Sequence, residues 1–115
     1  DRIALYTHPP EPRSVEQAIA DAEEINASGH RAFKFDPMRS NGGRGTSYMD
    51  GEIDPDTEQQ AYAIVQAVRE AIGPKPEILI DAHGCYNVPT AVRLANTMAQ
   101  WNIHWFEEPV PPESW

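Results

Sequence analysis

The feature that most constrains this chain is a regular alternation of short apolar runs with longer segments of helical periodicity. Apolar residues recur at every third or fourth position in three segments, which follow Ser14, Asp56 and Asn87. The four short apolar runs that flank these segments are residues 3–6, 32–37, 78–80 and 103–106. The order β-α-β-α-β-α-β predicts an α/β fold in which helices connect the strands of a parallel sheet by right-handed crossovers.

Local signals place the ends of these elements. Ser14 and Gln17 have the S-x-x-Q spacing of a capping box, and the first helix is expected to run from there to Gly29. The second helix is expected to begin at Asp56 or Thr57 and to end before Gly73-Pro74, and the third to span residues 87–100. The first strand is expected to end at the proline-rich segment 8–12.

Two architectures contain this order of elements, a doubly wound open sheet and part of an eight-stranded barrel. A complete barrel takes roughly 250 residues, so four strands and three helices in 115 residues amount to about half of one. Composition does not choose between the two. Residues 38–55 exceed an ordinary connection of about 2–6 residues, and this segment is expected to be either a ligand-binding loop or a surface insertion.

Charge and composition exclude several classes of partner. The formal net charge is −9, and this excess of acidic groups repels nucleic-acid phosphates and anionic lipid surfaces. No apolar run approaches the roughly 20 residues of a membrane helix. The single cysteine, Cys85, cannot form an intramolecular disulfide, which favours a cytoplasmic location. We therefore expect no nucleic-acid or membrane partner.

Carboxylates follow two of the predicted strands. Asp81 and Glu107 are separated by the length of one βα repeat, so they occupy equivalent points on neighbouring strands. Two carboxylates that converge out of water repel each other unless a cation lies between them. Mg²⁺ meets this need because it takes oxygen ligands from one or two carboxylates. The alternative is that each carboxylate caps the next helix or pairs with a neighbouring Arg or Lys.

The segments around these acids resemble a known family. Residues 80–84 read Ile-Asp-Ala-His-Gly, and residues 105–113 read Trp-Phe-Glu-Glu-Pro-Val-Pro-Pro-Glu. Together they resemble the third and fourth barrel strands of the enolase superfamily, in its mandelate racemase-like group. Within that group, they look like acid-sugar dehydratases of the galactonate and mannonate dehydratase type. Residues 32–37 resemble the second strand of the same family.

The resemblance implies that residues 1–115 are the N-terminal half of a (β/α)8 TIM-type catalytic barrel, with the capping domain and later strands outside this chain. Asp81 and Glu107 then correspond to two Mg²⁺ ligands, and the third ligand and the general base lie on later strands. His83 corresponds to the general acid that protonates the departing hydroxyl. Its alternative is a structural histidine. Glu108, one residue past Glu107, is expected to point to the opposite face.

Lys34 matches the first position of the K-x-K motif of the racemases, but Asp36 occupies the second position. This departure argues against a lysine base on the second strand. Lys34 is expected to bind the substrate carboxylate, or to balance the charge of Asp36 or other nearby acids. Asp36 is expected to bind substrate hydroxyls or to position Lys34.

The function that the resemblance implies is Mg²⁺-dependent dehydration of a sugar acid to a 2-keto-3-deoxy sugar acid, in the catabolism of carbohydrate acids. The parent protein would be a hydro-lyase, and this chain alone is expected to be inactive. Two alternatives stay open: a racemase or cycloisomerase of the same superfamily, and a phosphoacceptor signalling domain with Asp81 as the acceptor. The identity of the sugar acid and any homo-oligomeric assembly are left open.

Overall fold

Three parallel strands and three helices alternate along the chain in a computed structural model that describes residues 3–39 and 50–114. The elements are α1 (Val15–Ala27), β1 (Ala32–Phe35), α2 (Pro55–Ile72), β2 (Glu77–Asp81), α3 (Val88–Met98) and β3 (Ile103–Glu107). The sheet order is β1-β2-β3, and both pairings are parallel. The predicted α/β class and the parallel sheet are therefore confirmed.

Side-chain caps begin all three helices. The side chains of Ser14, Asp54 and Asn87 accept hydrogen bonds from the backbone N–H groups three residues further on. The second helix begins at Pro55, slightly before the predicted start, because Asp54 is the cap and proline suits the first helical position. The third helix ends at Met98 and continues into a short 3-10 turn, Ala99–Trp101.

The expectation that residues 3–6 form the first of four strands is wrong, because within the described residues these positions form no strand. Only Thr7 pairs there, as an isolated parallel bridge with Phe33. Its N–H donates to the Ala32 carbonyl at 3.0 Å, and the Lys34 N–H donates to the Thr7 carbonyl at 2.9 Å. Pairing cannot continue past this point because prolines at 9, 10 and 12 have no N–H to donate. Residues 40–49, the centre of the long segment predicted between 38 and 55, lie outside the described residues.

The helices pack against one face of the sheet and form the core there. Alternate strand residues point to this face and meet the apolar sides of the helices, and the fully enclosed members are Phe33, Ile78, Ile80, Ile64, Val65, Val68 and Leu94. The residues between them, Lys34, Leu79 and Trp105, lie in one register row on the other face. Among the described helices, none has the length and apolarity needed to cross a bilayer.

A β-bulge in β3 decides which residues reach that second face. Ile78 pairs with Ile103, but Leu79 pairs with Trp105, so His104 is an extra residue on β3. The bulge brings Glu107 into register with Asp81. Without the extra residue, Phe106 would pair with Asp81, and Glu107 would be one residue out of register with it.

Arg69 ties the helix layer to the starts of two strands. Its guanidinium donates to the carbonyls of Gly73 and Pro76 before β2, at 2.8 and 2.7 Å. It also donates to the carbonyls of Trp101 and Asn102 before β3, at 2.9 and 3.1 Å. Only the planar fork of arginine can reach all four acceptors at once. This contact lies at the end of the sheet opposite Asp81 and Glu107.

We predict that Arg69→Lys lowers the free energy of unfolding by about 2–4 kcal/mol, because several charge-assisted hydrogen bonds are lost together. Urea denaturation followed by circular dichroism measures the change. The matched control is Arg93→Lys, since Arg93 pairs with Glu58 on the surface with its side chain half exposed; it should cost below about 1 kcal/mol. Equal losses in the two variants would contradict this role for Arg69.

Candidate active site

Asp81 and Glu107 stand side by side at the carboxyl ends of β2 and β3. They are register partners across the parallel pair, as the spacing of one βα repeat predicts. The backbone also joins the two strand ends, because the N–H of Ala82 donates to the carbonyl of Glu107 at 3.0 Å. The two carboxylates therefore belong to one small site at one edge of the sheet.

The ammonium group of Lys34 lies between these carboxylates. Its Nζ atom is 2.9 Å from Oδ2 of Asp81, and it donates to Oε1 and Oε2 of Glu107 at 3.1 and 3.0 Å. The side chains of Lys34 and Asp81 are only 10% and 11% exposed, whereas that of Glu107 is 36% exposed. From the sequence, the alternative to metal ligation is that the acids pair with a neighbouring lysine. The structure contains that pairing. Lys34 balances these two acids, and the expectation that it balances Asp36 is wrong.

Protonation follows from this contact. The hydrogen bond with Asp81 raises the pKa of Lys34 well above its ordinary range, against the opposing effect of burial. Burial acts to raise the pKa of Asp81, but Lys34 and the backbone N–H of His83 outweigh it and hold that pKa below its usual value. Both groups thus stay charged at neutral pH.

His83 follows Asp81 in a strained turn beyond β2. Its φ of 52° lies in the left-handed region, which costs a non-glycine residue about 1 kcal/mol or more and is common at functional sites. The backbone N–H donates to Oδ1 of Asp81 at 3.1 Å and helps to fix the turn. The ring atom Nδ1 lies 3.2 Å from Oδ2 of Asp36 and 3.5 Å from Oδ1 of Asp81.

Asp36 is enclosed directly beyond β1, and its side chain is 4% exposed. Oδ1 accepts the backbone N–H of Met38 at 2.9 Å, and Oδ2 lies 3.2 Å from Nε of Arg39. Burial, reinforced by the nearby charge of Glu11, raises the pKa of Asp36 to about 6. The five residues singled out in the sequence, Lys34, Asp36, Asp81, His83 and Glu107, therefore form one continuous network.

The sequence pattern did not point to three further residues at this site. Glu11 accepts a hydrogen bond from the backbone N–H of Asp36 at 2.9 Å, and Arg39 pairs with the carboxylate of Asp36. The ring of Tyr6 lies 5.5 Å from Nζ of Lys34 and meets Trp105 edge to face at 5.8 Å. Glu11 lies in a loop and Arg39 in the short 3-10 helix Pro37–Arg39, where no periodicity shows which way a side chain faces. Glu108 is exposed beyond the end of β3.

The donor set fits a hard divalent cation in part. Asp81 and Glu107 offer carboxylate oxygens, the ligands that Mg²⁺ prefers, and they already gather around one positive charge. Within residues 3–39 and 50–114, no group of three or more His, Cys, Asp or Glu side chains is arranged to hold a metal. This part of the chain therefore supplies two oxygen-donor side chains, and further ligands would come from elsewhere.

Comparison with known proteins agrees with the geometry. Residues 17–115 match the family model described as enolase C-terminal domain-like. The chain is 33% identical over 95 residues to D-gluconate/D-galactonate dehydratase of Picrophilus torridus, an alignment that covers 83% of this chain and 22% of that protein. It is 37% identical over 103 residues to 3,6-anhydro-alpha-L-galactonate cycloisomerase of Streptomyces coelicolor, covering 86% of this chain and 24% of that protein.

A solved structure has the same fold. The mandelate racemase/muconate lactonizing enzyme from Jannaschia sp. CCS1 superposes with a TM-score of 0.84 and 31% identity, over 98% of this chain and 31% of that chain. The chain thus spans about a quarter of the length of the curated relatives and under a third of this solved chain. Such an overlap is consistent with a portion of a TIM-type barrel domain.

We predict that Lys34→Met lowers the free energy of unfolding by about 2–4 kcal/mol in the presence of EDTA, because Asp81 and Glu107 lose their shared counter-charge. The lower end allows for solvent screening at Glu107. Lys34→Arg, which keeps the charge, should lose less. Urea denaturation measures both variants, and a Met variant as stable as the Arg variant would contradict the counter-charge role.

Proposed function

Because this chain belongs to the enolase C-terminal domain-like family, we propose that it is part of an acid-sugar dehydratase. The parent protein would convert a sugar acid to a 2-keto-3-deoxy sugar acid with loss of water. The observation that carries the proposal is the row of Asp81 and Glu107 at the strand ends, with His83 directly beside it. The D-gluconate/D-galactonate dehydratase relative supports a hydro-lyase that acts on a sugar acid.

Asp81 and Glu107 are the residues that would hold Mg²⁺. When bound, the ion would stabilise the negative charge that develops on the substrate carboxylate when the α-proton is removed. Lys34 carries a positive charge at the same place and can bind a substrate carboxylate through Nζ. Since Asp36 occupies the second position of the K-x-K pattern, the lysine base of the racemases is missing at that position.

His83 is the proposed general acid. Loss of a β-hydroxyl needs a proton because hydroxide is a poor leaving group, and an imidazole can supply one near neutral pH. The side chain is 32% exposed, so its ring can meet a ligand at the strand ends. The Nδ1 atom of the ring faces Asp36, which leaves the Nε2 atom for the substrate.

The remaining machinery would come from outside the described residues. The general base and a third acidic ligand are expected on later strands of the barrel, and we propose that this chain alone does not turn over substrate. The cytoplasmic location and any homo-oligomeric assembly also stay predictions.

A cycloisomerase of the same superfamily is the second candidate, because one relative carries that activity. Such a reaction keeps the mass of the substrate, whereas a dehydratase removes one water. Mass spectrometry of products from a panel of sugar acids therefore separates the two. The family match gives no support to the phosphoacceptor alternative, since residues 17–115 match the enolase C-terminal domain-like model.

We predict that Glu107→Gln in the full-length protein weakens Mg²⁺ binding at least about tenfold, because a charged oxygen ligand is lost. Isothermal titration calorimetry measures the affinity without any need for substrate. Glu108→Gln is the matched control, since it changes the adjacent exposed acid in the same way, and it should bind Mg²⁺ normally. Equal affinities in the two variants would remove Glu107 from the ligand set.

We predict that His83→Asn in the full-length protein lowers the rate of dehydration by about 10²-fold or more, while exchange of the substrate α-proton with solvent continues. Nuclear magnetic resonance of the substrate in D₂O measures exchange, and appearance of the keto product measures dehydration. His30→Asn, at the other end of the sheet, is the control. Full dehydration by His83→Asn would contradict the general-acid role.

A further inference from the structure

The carboxylate of Asp36 is occupied by protein contacts on both of its oxygens. Oδ1 accepts the Met38 N–H at 2.9 Å, and Oδ2 faces both Nε of Arg39 and Nδ1 of His83 at 3.2 Å. The backbone N–H of Asp36 is itself anchored by Glu11 at 2.9 Å. An enclosed group with these partners is held in one orientation and has little capacity left for a substrate hydroxyl.

The groups around Nδ1 of His83 determine whether that nitrogen carries a proton in the neutral ring. The two nearest charged oxygens are Oδ2 of Asp36 at 3.2 Å and Oδ1 of Asp81 at 3.5 Å. An ionised carboxylate accepts hydrogen bonds and cannot donate one. A lone pair on Nδ1 would face the carboxylate of Asp36, whereas an N–H there would donate to its Oδ2 atom at 3.2 Å.

We propose that Asp36 is a positioning residue that accepts the Nδ1–H of His83, so that the protonated ring gives its Nε2 proton to the leaving hydroxyl and remains as the neutral Nδ1–H tautomer. The inference rests on the proposed function only for the last step, the transfer from Nε2 to the leaving hydroxyl. The ring orientation and tautomer follow from contacts within this chain. The strained backbone of His83 agrees with a side chain that is held in place by its neighbours.

The oxygens of Asp36 have fixed roles, so an amide substitution has a defined consequence. In Asp36→Asn, we expect the side-chain oxygen to stay on the N–H of Met38, so that the NH₂ group takes the place of Oδ2 opposite His83. Arg39, which also faces Oδ2, has a side chain that is 41% exposed and can turn towards solvent. An NH₂ group donates, so it favours a lone pair on Nδ1 and places the proton on Nε2. The same atoms remain in place, but the tautomer is reversed.

The direct test is the tautomer of His83 in the full-length protein with ¹⁵N-labelled histidine. Long-range ¹H–¹⁵N spectra at a pH where the ring is neutral distinguish a protonated from an unprotonated nitrogen, and the signals missing in His83→Gln identify the residue. We expect Nδ1 to be protonated in the wild type. Protonation at Nε2 instead would overturn the inference, and this measurement requires no variant of Asp36 to fold.

Two variants separate positioning from simple support of the fold. Asp36→Asn should shift His83 towards the Nε2–H tautomer. Arg39→Gln removes the other partner of the same oxygen but keeps the carboxylate, so it should leave the tautomer unchanged. An unchanged tautomer in Asp36→Asn, or the same shift in both variants, would contradict the proposal.

Kinetics provide a second readout. Asp36→Asn should lower kcat for dehydration by about 10²-fold or more with little change in KM, because an amide that donates to Nδ1 disfavours the protonated ring that gives up the Nε2 proton, while substrate contacts persist. A rise in KM with kcat preserved would instead indicate that Asp36 binds substrate, and would overturn the positioning role. If wild-type His83 has the Nδ1–H tautomer but no sugar acid is dehydrated, the proposed function fails while the positioning inference stands.

Discussion

The site depends on one electrostatic constraint, which is that two carboxylates at neighbouring strand ends need a cation between them. Lys34 meets that need within the chain, with its ammonium about 3 Å from both Asp81 and Glu107. Repulsion between these acids would otherwise raise the pKa of one of them or drive them apart. The same requirement is what makes the pair suited to a divalent metal.

The fold supplies the geometry that this constraint needs. Parallel strands bring their carboxyl ends to one edge of the sheet, and the bulge at His104 sets Glu107 opposite Asp81. Arg69 fixes the starts of the same two strands at the other end of the sheet. The proposed site and the Arg69 contacts therefore lie at opposite ends of the sheet, the division expected of parallel α/β barrels.

Much of the arrangement could be predicted from the sequence because it depends on periodicity. The Ser14 cap and the spacing of one repeat between Asp81 and Glu107 are local or periodic signals, and both were predicted. The bulge at His104 could not be predicted, since an extra residue in a strand leaves no mark in a short apolar run. Which acids Lys34 pairs with stayed open in the sequence, because a long flexible side chain can reach several of them. In place of the expected first strand, only Thr7 pairs with the sheet in the described residues before α1, because an apolar run alone does not provide hydrogen-bond partners.

In the intact protein, we expect Asp81 and Glu107 to bind one Mg²⁺ ion together, and a crystal structure of the full-length protein grown in Mg²⁺ is the decisive measurement. It should show one ion with a carboxylate oxygen of each residue at about 2.0–2.1 Å, and Nζ of Lys34 displaced from between the two carboxylates. An ion bound elsewhere, with both carboxylates still paired to Lys34, would contradict it.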